Sequence, residues 1–178
     1  EISETGVVAA GRTYGVDAII FATGFDAMTG ALAKIDIRGS HGGSLQEAWQ
    51  EGPRTYLGLM TAGFPNMFTV TGPGSPSVLT NMLPTIEQHV DWIAEAIAHL
   101  RSNHLSRMEP AIEAQDAWVA HGNELAGRTL RYGCGSWYLG ANIPGKPRVF
   151  MPYIGGLPRY MKKCRDVVDS GYEGFILM

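Results

Sequence analysis

Gly72-Pro73-Gly74-Ser75-Pro76-Ser77 runs through Val78, Leu79, Thr80 and Asn81 to Met82, where a strongly helical pattern begins. A helix N-terminus offers free N–H groups and about half a unit of positive charge, so this start could stabilise an anion. Ser77 stands where a complete G-x-G-x-x-G fingerprint has its third glycine, so the segment is no Rossmann phosphate loop. Taken alone, an ordinary loop-to-helix cap explains it more simply. Ala22-Thr23-Gly24 closes an apolar run, and small residues at a strand's carboxyl end let a ligand approach the backbone. A strand that merely needs a glycine to turn is the commoner origin of such a tripeptide. Between Gly135 and Pro147, Trp137 and Tyr138 lie in a Gly-flanked loop with Lys146. The indole has a flat face and one donor suited to a ribose or nicotinamide, and Lys146 could meet a phosphate; by itself Trp137 reads as a loop aromatic packed on the core.

Other groupings carry less. Glu87, Asp91 and Glu95 share a helix face, but Glu87 and His89 are two apart, so the Glu-x-x-His pattern of di-iron bundles is absent and a solvated acidic stripe is expected. His41, His89, His99, His104 and His121 are dispersed, form no His-Glu-x-x-His, and most are expected at the surface. Cys134 and Cys164 lack metal-ligand spacing and read as free thiols of a reducing cytoplasm. No metal is expected.

The elements that position these residues follow from periodicity. Val7–Ala10 and Thr13-Tyr14 read as a hairpin turning at Gly11, and Asp17–Ala22 as a buried central parallel strand. Further strands are expected at Ile35–Arg38, Thr55–Met60, Met67–Thr71, Val149–Met151 and Phe175–Leu177. A helix capped by Ser44 would carry Leu45, Ala48 and Trp49 inward. A long helix from Met82, with Pro84 in its first turn, would bury Ile86, Val90, Ile93, Ala94, Ile97 and Leu100. Another follows Pro110 with Ile112, Val119 and Leu125 inward, then an irregular stretch Tyr132–Pro147, then a helix from Leu157 to Ser170. Alternating strands and helices imply an α/β fold, with too few parallel strands for a whole doubly wound sheet.

At 178 residues and 45% hydrophobic, the chain can bury a core. A net charge of −3, with basic residues clustered only at Arg159, Lys162, Lys163 and Arg165, argues against nucleic acid. The longest apolar run, Ala18–Ala22, falls far short of the roughly 18 residues of a membrane helix. The start at Glu1 suggests a truncated gene product.

Read in order, DAIIFATGFD (17–26), GPGSPSVLTNML (72–83), IEQH (86–89), SWYLGANIPGKPR (136–148) and GYEGF (171–175) resemble the C-terminal half of Baeyer-Villiger monooxygenases, nearest the phenylacetone- and steroid-oxidising members. The resemblance covers about Val16 to Met178. It implies an incomplete α/β flavoprotein with two dinucleotide-binding domains, residues 1–25 ending the NADP-binding domain and 26–178 forming the C-terminal portion of the FAD-binding domain.

It further implies FAD and NADPH as cofactors, ketone and molecular oxygen as substrates, and a flavin C4a-peroxide that converts ketone to ester or lactone. The two glycine-rich fingerprints and the active-site arginine would lie in an N-terminal remainder, leaving this segment with no catalytic residue and no activity alone. By position, Ala22, Thr23 and Gly24 match a cofactor-adjacent linker, Met82 a residue whose backbone meets the flavin, and Trp137 a mobile loop closing over NADP. Ser77, Val78, Leu79 and Thr80 match a loop that shapes the substrate pocket. N- or S-oxygenation by a related flavin monooxygenase, and a binding module that kept the fold without flavin, are the alternatives; Gly140–Lys146 favours the Baeyer-Villiger branch.

Overall fold

The chain's structure, a computed structural model, describes residues 1–178 with the side chain of Tyr132 excepted. It is mixed helix and sheet, and both of its sheets are antiparallel. Strands β1 (Ile2–Ser3), β2 (Gly6–Ala9) and β3 (Arg12–Gly15) make the first sheet. The β2–β3 hairpin turns at Ala10-Gly11 with φ of 49° and 72°, the double positive φ that a right-twisted hairpin prefers.

The expected central strand at Asp17–Ala22 does not form. Residues 17–25 pair with no strand, and Ile20 (90%), Phe21 (70%) and Phe25 (78%) are exposed. A central parallel strand needs hydrogen-bonding neighbours on both edges and cover on both faces, and among the described residues none is offered.

Four other expected strands, Thr55–Met60, Met67–Thr71, Ile35–Arg38 and Val149–Met151, shrink for different reasons. The backbone reverses at Leu57-Gly58 (φ 58° and 69°), so Tyr56 and Met60 bond each other and only bridges to Met60 and Phe68 remain. Gly58 is required there: a Cβ would sit 2.4 Å from the Ser75 nitrogen. Ile35–Arg38 is reduced to the Arg38–Ser44 bridge, and Val149–Met151 spends its backbone on loops, with Met151 N–H donating to Tyr138 and its carbonyl accepting from Gly74.

Helix α1 (Gly30–Ala33) precedes α2 (Leu45–Ala48), which has the Ser44 cap completed as a capping box by Glu47. Leu45 and Trp49 are buried as expected, whereas Ala48 faces solvent. The long helix α3 (Met82–Ser102) forms as expected but is rotated: its buried line is Thr85, His89, Trp92, Ala96 and Leu100, while Val90, Ala94 and Ile97 are exposed. The reason is partner chemistry. His89 is hydrogen-bonded on both ring nitrogens, and Trp92 donates to the Cys164 carbonyl and meets the rings of Tyr172 and Phe175 at 5.6 and 5.5 Å. Large rings with satisfied polar atoms bury more area than branched aliphatics and so take the inward face.

Strand β4 (Met108–Pro110), unforeseen in the sequence, pairs antiparallel with β5 (Phe175–Leu177). Helix α4 (Ile112–Gly127) buries Gln115, Trp118 and Ala126; Ile112, expected inward, is 63% exposed, and Val119 and Leu125 are half-buried. The segment around residues 130–147 is irregular but for the 3-10 turns Leu130–Gly133 and Trp137–Leu139; the Tyr132 side chain lies outside the described residues. Helix α5 (Leu157–Asp169) closes the main core of Tyr56, Leu57, Leu59, Met60, Trp92, Trp118, Tyr153, Tyr160, Cys164 and Val167. Cys164 is buried and Cys134 exposed, both free.

Candidate functional site

The segment between Thr69 and Ser77 winds too tightly for regular structure, with Thr71, Gly74 and Ser77 at φ 53°, 86° and 45°. Side chains and backbone from three other parts of the chain hold it. Thr55 Oγ1 donates to the Pro73 carbonyl (2.6 Å), Trp118 Nε1 to the Gly74 carbonyl (3.0 Å), and Tyr153 N–H to the Ser75 carbonyl (2.7 Å). Gly74 must lack a side chain, since a Cβ would lie 2.7 Å from Thr55 Oγ1.

Beneath this segment lies a buried relay. His89 Nδ1 accepts from the Thr71 N–H (2.9 Å), which places the ring proton of the neutral imidazole on Nε2. Nε2 then donates to Tyr160 Oη (2.8 Å), and Tyr160 donates onward to the Leu57 carbonyl (2.6 Å). Burial pushes the His89 pKa down to about 4 and drives the Tyr160 phenol well above its usual range. His89 thus departs from the expected surface placement. His41 and His104 are exposed, and His99 and His121 are half-buried. The signal was present: His89 sits four residues after Thr85 and three before Trp92, on the line that α3 buries.

The pinned segment delivers the chain to a 3-10 turn, Ser77–Leu79, and then to α3. Asn81 caps the helix by accepting from the Leu83 N–H (3.1 Å), and Thr80 Oγ1 meets Thr85 Oγ1 at 2.9 Å. Met82 is 37% exposed at the first helical position, where the amide has no intrahelical acceptor.

Leu79 and Thr80 line a cavity of about 140 Å³ with Arg131, Tyr153, Ile154 and Gly156. Ser77 is buried and Val78 half-buried, and neither lines it. A separate, larger cavity of about 560 Å³ is lined by Trp118, His121, Tyr153, Arg159 and Lys163 among others, and contains none of the nominated residues.

Trp137 is 37% exposed, its ring 4.3 Å from that of Tyr138. Its loop is tied back to the segment after Ala22-Thr23-Gly24: Asn142 Nδ2 donates to the Phe25 carbonyl (3.2 Å), and Lys146 Nζ donates to Asp26 Oδ1 and Thr29 Oγ1, both at 2.5 Å. Burial raises the Asp26 pKa, but the Lys146 hydrogen bond and charge, with Thr29, hold it below the usual carboxylate range. Lys146, which by its sequence could meet a phosphate, is paired with Asp26 within the chain. Gly24 has φ 78°, consistent with the expected turn. Among the described residues, no hydrogen bond or ring contact joins Ala22–Gly24, Met82 and Trp137 to one another, no group of three or more metal-type side chains could hold an ion, and no helix is long and apolar enough to cross a membrane.

No protein-family model matches the chain. Curated relatives include an acetone monooxygenase (methyl acetate-forming) of Gordonia sp. (strain TY-5), 46% identical over 99% of this chain and 33% of the relative. A Baeyer-Villiger monooxygenase of Pseudooceanicola batsensis is 41% identical (99% and 32%), and a phenazine N-monooxygenase of Lysobacter antibioticus 42% (99% and 32%). Among solved structures, an oxidised steroid monooxygenase bound to NADP superposes with TM-score 0.88 at 49% identity, covering 99% of this chain and 33% of that one. A protein designated OTEMO, in complex with FAD and NADP, gives 0.88 at 36% (100% and 32%).

In both fold and sequence the class that the chain resembles is the flavin monooxygenases. Within that class the chain is homologous along its whole length to monooxygenases of the Baeyer-Villiger type. It spans about a third of the length of the curated relatives it matches.

Proposed function

We propose that the protein carrying this chain is an FAD- and NADPH-dependent monooxygenase that inserts one atom of molecular oxygen beside a ketone carbonyl, giving an ester or lactone. In this reading residues 1–25 end an NADP-binding domain, residues 26–178 belong to the FAD-binding domain, and an N-terminal remainder supplies the other cofactor contacts. The observation that carries it is the helix start at Met82, solvent-accessible and directly following the cavity-lining pair Leu79 and Thr80.

The residues present fit such a cofactor. The first-turn amide of Met82 and the positive end of a 21-residue helix suit the electron-rich pyrimidine edge of a reduced flavin. Reduced by NADPH, the bound flavin would supply the activation of oxygen. The 3-10 turn would hold the ketone against that edge, Leu79 and Thr80 forming the wall, with Ser77 and Val78 setting the wall's position from behind. Trp137, presented on a turn capped by Ser136, would cover the nicotinamide side and exclude water, and Ala22-Thr23-Gly24 would let the backbone pass close to it. Two unbridged thiols agree with a reducing, cytoplasmic setting.

The test is ketone-dependent NADPH oxidation by the full-length protein with ester identified as product. A second reading has one specific support, the 42% identical phenazine N-monooxygenase. N-oxide or sulfoxide formation with no ester from any ketone would move the assignment to it.

A further inference from the structure

We propose that the ketone taken by this site is a short oxo acid whose carboxylate is held by Arg131. The inference rests on Leu79 and Thr80 forming the substrate wall, as assigned above. Arg131 is the single charged side chain among the residues lining their cavity. Its guanidinium lies over the Tyr138 ring at 5.8 Å, a stacking arrangement that orients the fork while leaving its donors available.

Five other arginines, Arg38, Arg54, Arg107, Arg128 and Arg165, each pair with a carboxylate of the chain. Among the described residues Arg131 has no such pair, as is also true of Arg12, Arg101, Arg148 and Arg159, but of these Arg131 alone lines this cavity. Being exposed, it keeps its hydration when the cavity is empty, so its lack of a partner carries little penalty.

Arg131 alone brings a charge to this wall: Leu79, Ile154 and Gly156 have no polar side chain, the Thr80 hydroxyl is engaged with Thr85 and the Ser77 carbonyl, and the Tyr153 hydroxyl, 3.5 Å from His121 Nε2, is a neutral donor. At about 140 Å³ the cavity is well below the roughly 300–1,000 Å³ of sites that hold drug-sized molecules. A short chain with a ketone at one end and a carboxylate at the other matches both the volume and the lone fork. Guanidinium and carboxylate are geometrically matched for two parallel hydrogen bonds.

The test compares 4-oxopentanoate with its methyl ester on the full-length flavoprotein, using equilibrium binding without NADPH alongside steady-state KM. The wild type is expected to favour the acid about tenfold, with the preference shrinking as salt is added. Arg131→Gln should abolish that preference and leave the ester within about twofold, while Arg131→Lys, which keeps the charge but loses the planar fork, restores only part of it. Equal affinity for acid and ester in the wild type overturns the proposal. So does an equal loss for both in Arg131→Gln, or a raised KM for NADPH in place of the acid, which would make a cofactor phosphate the partner. Failure to oxidise any ketone would defeat the functional reading separately, and the binding preference would still decide the role of Arg131.

Discussion

The inner face of α3 and the segment from Val16 to Phe25 both carry large apolar residues, yet the first, with Thr85 and His89 among them, is sealed in the core and the second lies open to solvent. Composition does not separate them; backbone bookkeeping does. A helix satisfies its own N–H and C=O groups, so α3 needs only side-chain partners, and Tyr160, Cys164, Tyr172 and Phe175 supply them. An extended segment must find neighbouring strands before it can be buried, because an unpaired buried peptide group is costly. The helix-borne part of the candidate site is therefore assembled by this chain alone. Among the described residues, the ties next to the junction at Ala22-Thr23-Gly24 run from the following Phe25 and Asp26 to Asn142 and Lys146.

The sharpest way to break this contrast is at Trp118, which stacks on Tyr153 at 4.9 Å and pins the Gly74 carbonyl. Trp118→Ala is expected to lower unfolding free energy by about 3–5 kcal/mol, measured by urea denaturation. A loss below about 1 kcal/mol would mean that the core does not depend on this contact.

Next in size is His89. Its pKa falls from 6.5 to about 4, so between those values the unfolded chain binds a proton that the folded chain refuses. Stability from this group is complete above about pH 6.5 and drains as pH falls toward 4, by up to about 3 kcal/mol. His89→Gln should flatten that part of the pH–stability curve and cost about 1–3 kcal/mol at neutral pH through the Thr71 and Tyr160 bonds. An unchanged pH slope in the variant would show that His89 is not the titrating group.

These two residues mark how far the sequence could be read. Periodicity located α3, α4, α5 and the β2–β3 hairpin, because a helix or a two-residue turn is specified within a few neighbouring residues. The face that α3 buries was misread because aliphatic spacing was weighed above the Thr85–His89–Trp92 line, whose hydroxyl and imidazole find their partners in Asn81, Tyr160 and Thr71. Thr55–Met60 read as a strand because its residues are β-prone, but Leu57-Gly58 turns there under long-range packing against Ser75. The motif order 17–26, 72–83 and 136–148 gave the family, whereas Arg131, contributed by an irregular stretch, carried no motif at all.

The tie between the Trp137 loop and the open segment offers a finer test. A double-mutant cycle with Asp26→Asn and Lys146→Met should return a coupling of about 1 kcal/mol, since both side chains are largely but not wholly buried. Zero coupling would leave Asn142 as the principal contact between loop and segment.

The smallest effect separates an open segment from a misplaced one. Phe21→Ser in this chain should change stability by no more than about 0.5 kcal/mol, because the ring is 70% exposed and pairs with nothing. The same substitution in the full-length flavoprotein should cost about 2 kcal/mol if a neighbouring sheet covers the ring there. Urea midpoints of the two pairs decide it. A large loss in this chain would mean that residues 17–25 already pack onto its core; a negligible loss in both would mean that the segment remains a solvent-facing linker, and the apolar run would then need another explanation.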